Sequence, residues 1–180
     1  MTTSTRITFT IILSLSLTFS VFAQNKKIKE IRKKFQTINR DTTYSTLTLN
    51  NEEFLEQMTD GGGQLTGYFK YQNIDKIHER IGLSYGVLTR EYYLEEGQLI
   101  FVFEKEDTFP YVDSLAALDY TKTETAFEGR YYFDNGKLIK TKIKGEKRFP
   151  DKLVFDSQTK EGALLASAVS NAELLTEKKK

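Results

Sequence analysis

The sequence predicts an α+β fold: a single antiparallel sheet, a meander of about six strands, with N-terminal and C-terminal helices packed on one face. Three observations carry this. An amphipathic stripe lies near the N-terminus, an Ala/Leu/Glu-rich stripe lies at the C-terminus, and the region between them is rich in β-formers and cut by turn residues at short intervals. At 180 residues the chain fits one folded domain and can bury a substantial core.

The first 23 residues read as an export signal. Arg6 supplies a positive start, Ile7 to Phe22 is an uncharged apolar run, and Val21-Phe22-Ala23 offers a cleavage site before Gln24. The run is shorter than the ~20 residues a membrane-crossing helix needs, and no Cys follows it to take a lipid. The organisation expected is a signal peptide over 1–23, an α+β domain over 24–155 and a C-terminal helix over 156–180. The product is expected to be periplasmic or secreted, with no stable membrane anchor after cleavage. The absence of Cys from an exported chain favours a bacterial periplasm over a disulfide-stapled module.

Each element has a local cause. In 26–39, Ile28, Ile31, Phe35 and Ile38 fall on one helical stripe, with lysines and Arg32 opposite. Tyr44 to Leu49 is a short β-prone piece, and Asn50 or Asn51 can cap a short helix with Glu52 and Glu53 in its first turn. Three glycines, 61–63, end that helix. Strands are then expected near 65–71, 74–81, 85–95, 98–106, 126–133 and 138–144. Asn135-Gly136 is a strong type I′ hairpin turn and Glu96-Gly97 a second of the same sort. Between the strands, Asp107 to Thr125 carries Pro110 and an apolar stripe of Val112, Leu115 and Leu118, which suits a connection with a helical turn or two. Over 159–177, Leu164, Leu165, Ala168, Ala172 and Leu175 share a helical face, and Lys178 to Lys180 sit at its negative end.

The turns belong to an internal repeat. Tyr92-Tyr93-Leu94-Glu95-Glu96-Gly97-Gln98-Leu99-Ile100 matches Tyr131-Tyr132-Phe133-Asp134-Asn135-Gly136-Lys137-Leu138-Ile139 position by position, and Tyr68 to Ile74 is a looser copy. A repeated hairpin unit favours a meander. This pattern, with Gly67-Tyr68-Phe69, resembles that of exported proteins of Bacteroidota-type bacteria over residues 26–145. The Y-Y-x-x-x-G-x-L unit is also similar to YwqK-type antitoxin repeats. The chain departs from those arrays in having two good copies, irregular spacing and flanking helices, so a toxin-neutralising role is not carried over. Neither resemblance implies catalytic residues.

Charge and composition exclude several classes. Lys and Arg total 26 against 25 acids, and removing residues 1–23, with Arg6 and no acid, leaves zero net charge. A generally basic nucleic-acid binder is therefore not expected. The balance hides segregation: seven basic groups in 26–40, ten acids in 91–128 and six basic groups in 140–152. One reading is a basic surface for anionic lipid or polysaccharide; the simpler one is a solvated, lysine-rich face. Without Cys there is no thiol catalysis and no thiolate metal site. No cofactor, metal or catalytic residue is expected.

Few residues suggest chemistry. His78 is the sole imidazole and is expected at the solvent or sheet rim. Glu104 and Glu106 share one side of their strand, which suits acid–base work on a sugar, or simply a charged strand end leaving the core. The aromatic content is more distinctive, with 13 Phe and 10 Tyr and no Trp. The doublets put one tyrosine on each sheet face, as core or as an outward stacking platform. Tyr92, Tyr131 and Tyr132 are the candidate ligand-binding residues.

The function expected is that of an exported, non-enzymatic binding or interaction module using an aromatic sheet surface. Its partner would be a protein, a glycan or a small apolar ligand, with no nucleic acid. The alternatives are a carrier of small apolar ligands, with a helix-grip cavity near Leu164, Leu165 and Val169, and a hydrolase using Glu104, Glu106 or His78.

Overall fold

The computed structural model describes residues 24–55, 57–149 and 156–177, with side chains in the last segment described as far as Ala168. The export signal expected over 1–23 lies outside the described residues, as do the side chains of Val169, Ala172 and Leu175.

Helix α1 spans 24–40. Strand β1 (Ser45–Asn50) leads through a single 3-10 turn (Asn51–Glu53) to β2 (Gly63–Lys70), β3 (Asn73–Leu83), β4 (Gly86–Glu95) and β5 (Gln98–Thr108). A small excursion follows, with β6 (Tyr111–Val112) paired to β7 (Ala117–Leu118) around a second 3-10 turn (Asp113–Leu115). Strands β8 (Glu124–Asp134) and β9 (Lys137–Gly145) complete the sheet, and α2 (Ser157–Glu177) follows. The main sheet has seven strands in the order β1-β2-β3-β4-β5-β8-β9, every neighbour antiparallel. The fold is α+β on one antiparallel sheet, with β1 added to the six expected strands. The helix expected after Asn50 is only a 3-10 turn, closed by the Asn50 N–H donating to Glu53 Oε2 at 2.7 Å.

The three hairpins β2–β3, β4–β5 and β8–β9 share one construction. The first turn residue has positive φ in each: Tyr71 at 59°, Glu96 at 51° and Asn135 at 48°. Gly97 and Gly136 follow at 72°, which completes a type I′ turn in the last two. Next to each turn the register slips, between Tyr68 and Phe69, Tyr93 and Leu94, and Tyr132 and Phe133. Each slip is a β-bulge that leaves one extra residue on the returning strand (Asp75, Ile100, Ile139) and adds local twist.

The helices do not share a face. Ile28, Ile31 and Ile38 of α1 pack with Tyr93, Ile100, Phe101 and Tyr132. Leu164 of α2 packs with Leu65, Ile77, Tyr92, Val102 and Tyr131 on the other face. The cause lies in the doublets: consecutive strand residues point to opposite faces, so Tyr92-Tyr93 and Tyr131-Tyr132 make both faces apolar and both need a cover. Phe35 stacks on Phe101 at 4.3 Å between centroids and fixes α1 in register. On the other face Gly67 lets α2 approach. A Cβ there would stand 3.0 Å from Leu164 Cδ1 and 2.9 Å from Phe69 Cε2. Leu165, expected on the buried stripe, is 38% exposed; among the described side chains the helix presents Leu164 and the partly buried Ala163 to this core.

Candidate functional site

Tyr92, Tyr131 and Tyr132 are buried at 0%, 1% and 2% exposure, so they are core residues and not an outward platform. Tyr92 and Tyr131 lie under α2 and Tyr132 under α1, where the Arg32 guanidinium stands 5.6 Å over its ring. A surface of stacking rings cannot be built from side chains whose faces are already covered.

Under α2 the sheet holds a row of charges. Glu79 of β3 stands opposite Arg90 of β4, which stands opposite Glu104 of β5. The Arg90 guanidinium donates to Glu104 Oε1 at 3.2 and 3.4 Å and lies 3.7 Å from Glu79 Oε2. Two lysines close the row from outside the sheet: Lys160 of α2 sits 2.9 Å from Glu79, and Lys147 sits 2.9 Å from Glu104. Tyr92 donates to Glu79 at 3.0 Å, and burial, then the Glu79 charge, push its hydroxyl pKa far up. Tyr131 leans back over Gly129, where a Cβ would meet its ring and hydroxyl at 2.6 Å; burial, then the Glu104 charge, raise its pKa too.

Glu104 and Glu106 do not leave the core as a charged strand end: both are fully buried. β5 continues to Thr108, and the chain after β9 folds back over it. There the backbone N–H groups of Arg148 and Phe149 donate to Glu106 Oε2 at 2.6 and 3.1 Å. The three carboxylates are thus answered by Arg90, Lys147, Lys160 and two amides. Buried ions need this balance, since an unpaired one costs several kcal/mol.

His78 is half-buried on the α1 face rather than at a rim, in a cross-strand row with Glu91, Phe103, Arg130 and Lys142. Burial lowers its pKa from 6.5. Glu91 is held by Lys76 at 2.7 Å and by the Tyr93 hydroxyl at 2.7 Å. Burial pushes the Glu91 pKa up, but these bonds outweigh it and hold it below 4.5.

The open surface is of a different kind. Among the described residues strand β9 is one of the two edges of the sheet, β1 being the other; one of its carbonyls, Ile139, accepts from the Gln24 side-chain amide of α1. On its α1-side face it carries Lys140, Lys142 and Lys144, opposite Tyr132, Arg130 and Glu128, and on the other face Leu138 and Ile143 are 47% and 60% exposed. Among the described residues from 45 to 160, every lysine outside β9 has a carboxylate partner. Lys137, Lys140, Lys142 and Lys144 have none, and Arg130, beside them, is tied to Glu128 at 3.0 Å and stacked 5.0 Å over Phe103. Alternation puts the last three lysines about 6.8 Å apart along the edge.

Sequence inspection located this basic segment but not its isolation from the acids, which depends on strand order: in the acid-rich segment 91–128, Glu91, Glu104, Asp107 and Glu128 pair with Lys76, Arg90, Lys147, Lys105 and Arg130 and not with the edge lysines. No family model, no curated protein and no solved structure matches this chain, so the functional reading rests on its own geometry.

Proposed function

We propose that this chain is an exported, non-enzymatic interaction module that takes an anionic partner on the lysine edge of β9. The observation that carries the reading is the contrast in charge partnering. Every carboxylate of the buried row has a cation or amide, while among the described residues no β9 lysine has a carboxylate within 4 Å, Glu128 opposite Lys144 being turned to Arg130. Cations left without a local partner on a ridge present a field that attracts an anionic surface and weakens with salt.

The interior gives little support to the alternatives. A carboxylate hydrolase needs a carboxyl group free to move a proton against a bound substrate. Here Glu79 and Glu104 are paired with Lys160, Arg90 and Lys147, and Glu106 takes two backbone amides. Glu104 Oε2 and Glu106 Oε1 accept no hydrogen bond among the described residues, but both side chains are 0% exposed and sealed from a substrate in solvent. An apolar-ligand carrier needs space between helix and sheet. Instead Leu164 rests against Gly67 and the adjoining floor is ionic. Export is supported by the signal-like pattern of 1–23, and among the described residues no helix is long and apolar enough to cross a membrane.

The test compares retention of the wild type and of K140Q/K142Q/K144Q on an anionic matrix. The wild type is expected to elute later, with a gap that closes as salt rises. Equal elution of two equally folded proteins contradicts the proposal. An intact mass beginning at Gln24 in exported material checks the route.

A further inference from the structure

Resting on that reading, we infer that the partner is an extended polypeptide with acidic residues at alternate positions, which joins β9 as an eighth strand. An edge strand offers a row of backbone N–H and C=O groups that only another strand can satisfy in register. Along such a strand alternate side chains recur every ~6.8 Å, the spacing of Lys140, Lys142 and Lys144. Three acids on one face would meet those lysines, and apolar residues on the other would cover Leu138 and Ile143, which are now 47% and 60% exposed. Opposite-charge and apolar cross-strand pairs both favour this register.

A second copy of this chain does not fit. Pairing β9 with β9 would set lysines against lysines, which destabilises a sheet. The other free edge, β1, reads Ser-Thr-Leu-Thr-Leu-Asn and brings no acid to the match. An acidic glycan offers charge but neither the strand's hydrogen bonds nor its apolar face.

The test uses fluorescence anisotropy with the full chain and three nine-residue probes of one composition. One alternates Glu with Val, one gathers its Glu at one end, and one is the alternating peptide N-methylated at three alternate amides. The alternating peptide is expected to bind best, and N-methylation should cost about 2- to 10-fold per lost bond. K140Q/K142Q/K144Q, verified to melt like the wild type, should lose about 3- to 100-fold for three exposed charge pairs. Equal binding of all three probes overturns strand addition while leaving the anionic reading intact. If neither these peptides nor polyglutamate nor a sulfated glycan binds, both fail. If the glycan alone binds, the edge is a glycan surface and the inference falls.

Discussion

Replacing Arg90 by Met tests the role of the buried charges. Arg90 is 7% exposed, and among the described residues its guanidinium is the only group that bridges Glu79 and Glu104 across β4, at 3.7 and 3.2 Å. Met fills much of the same volume and removes the charge together with the two hydrogen bonds to Glu104. Glu79 then keeps Lys160 and the Tyr92 hydroxyl, and Glu104 keeps Lys147, but two buried carboxylates face each other across the vacated position. Breaking a buried pair from one side costs about 3–5 kcal/mol, a large share of a total of about 5–15. For a domain of this size that is a fall in Tm of about 6–20 °C. Adding Glu104→Gln to Arg90→Met should recover part of the loss, because the second change removes one stranded charge. Denaturant unfolding followed by circular dichroism gives both values. A loss below about 1 kcal/mol for Arg90→Met would refute the reasoning, since only a solvated surface pair is worth so little.

Other perturbations follow from the same geometry. Tyr92→Ala and Tyr132→Ala should each destabilise by about 3–5 kcal/mol, as core truncations do, which a melt will show. Gly67→Ala should push Leu164 from its seat and cost about 1–3 kcal/mol, read by faster proteolysis within α2. His78 takes its proton less readily folded than unfolded, so stability should be full above about pH 6.5 and decline as pH falls through the lowered folded value. In His78→Gln that part of the slope should vanish from denaturation midpoints measured between pH 5 and 7 (a range chosen around the usual imidazole value).

How much of this was legible in the sequence depends on whether one residue can change the answer. The Glu96-Gly97 and Asn135-Gly136 turns fix their hairpins because few other pairs accept two positive φ values. The stripe of Ile28, Ile31 and Ile38 likewise locates α1. The ionic row is different. A plain two-residue turn at Glu96-Gly97 would set Arg90 opposite Phe103; the bulge at Ile100 shifts the register by one and sets it opposite Glu104. Nothing in the local sequence announces that bulge, so Glu104 and Glu106 read as a charged strand end. The doublets place a tyrosine on each face, yet the sequence reading sets both helices on one face, because the assignment of a helix to a face rests on tertiary contacts such as Leu164 with Gly67. The basic edge is visible as Lys137, Lys140, Lys142 and Lys144, yet its lack of acids follows only from β9 standing last in the sheet.

The most direct test is a map of backbone amide shifts by NMR as polyglutamate is titrated into the labelled protein. Perturbations should gather on β9 and the adjoining β8, fade with added salt, and leave Glu79, Arg90, Glu104 and Glu106 still. Shifts centred on those four residues, with β9 unmoved, would mean that the interior receives the ligand and the edge does not.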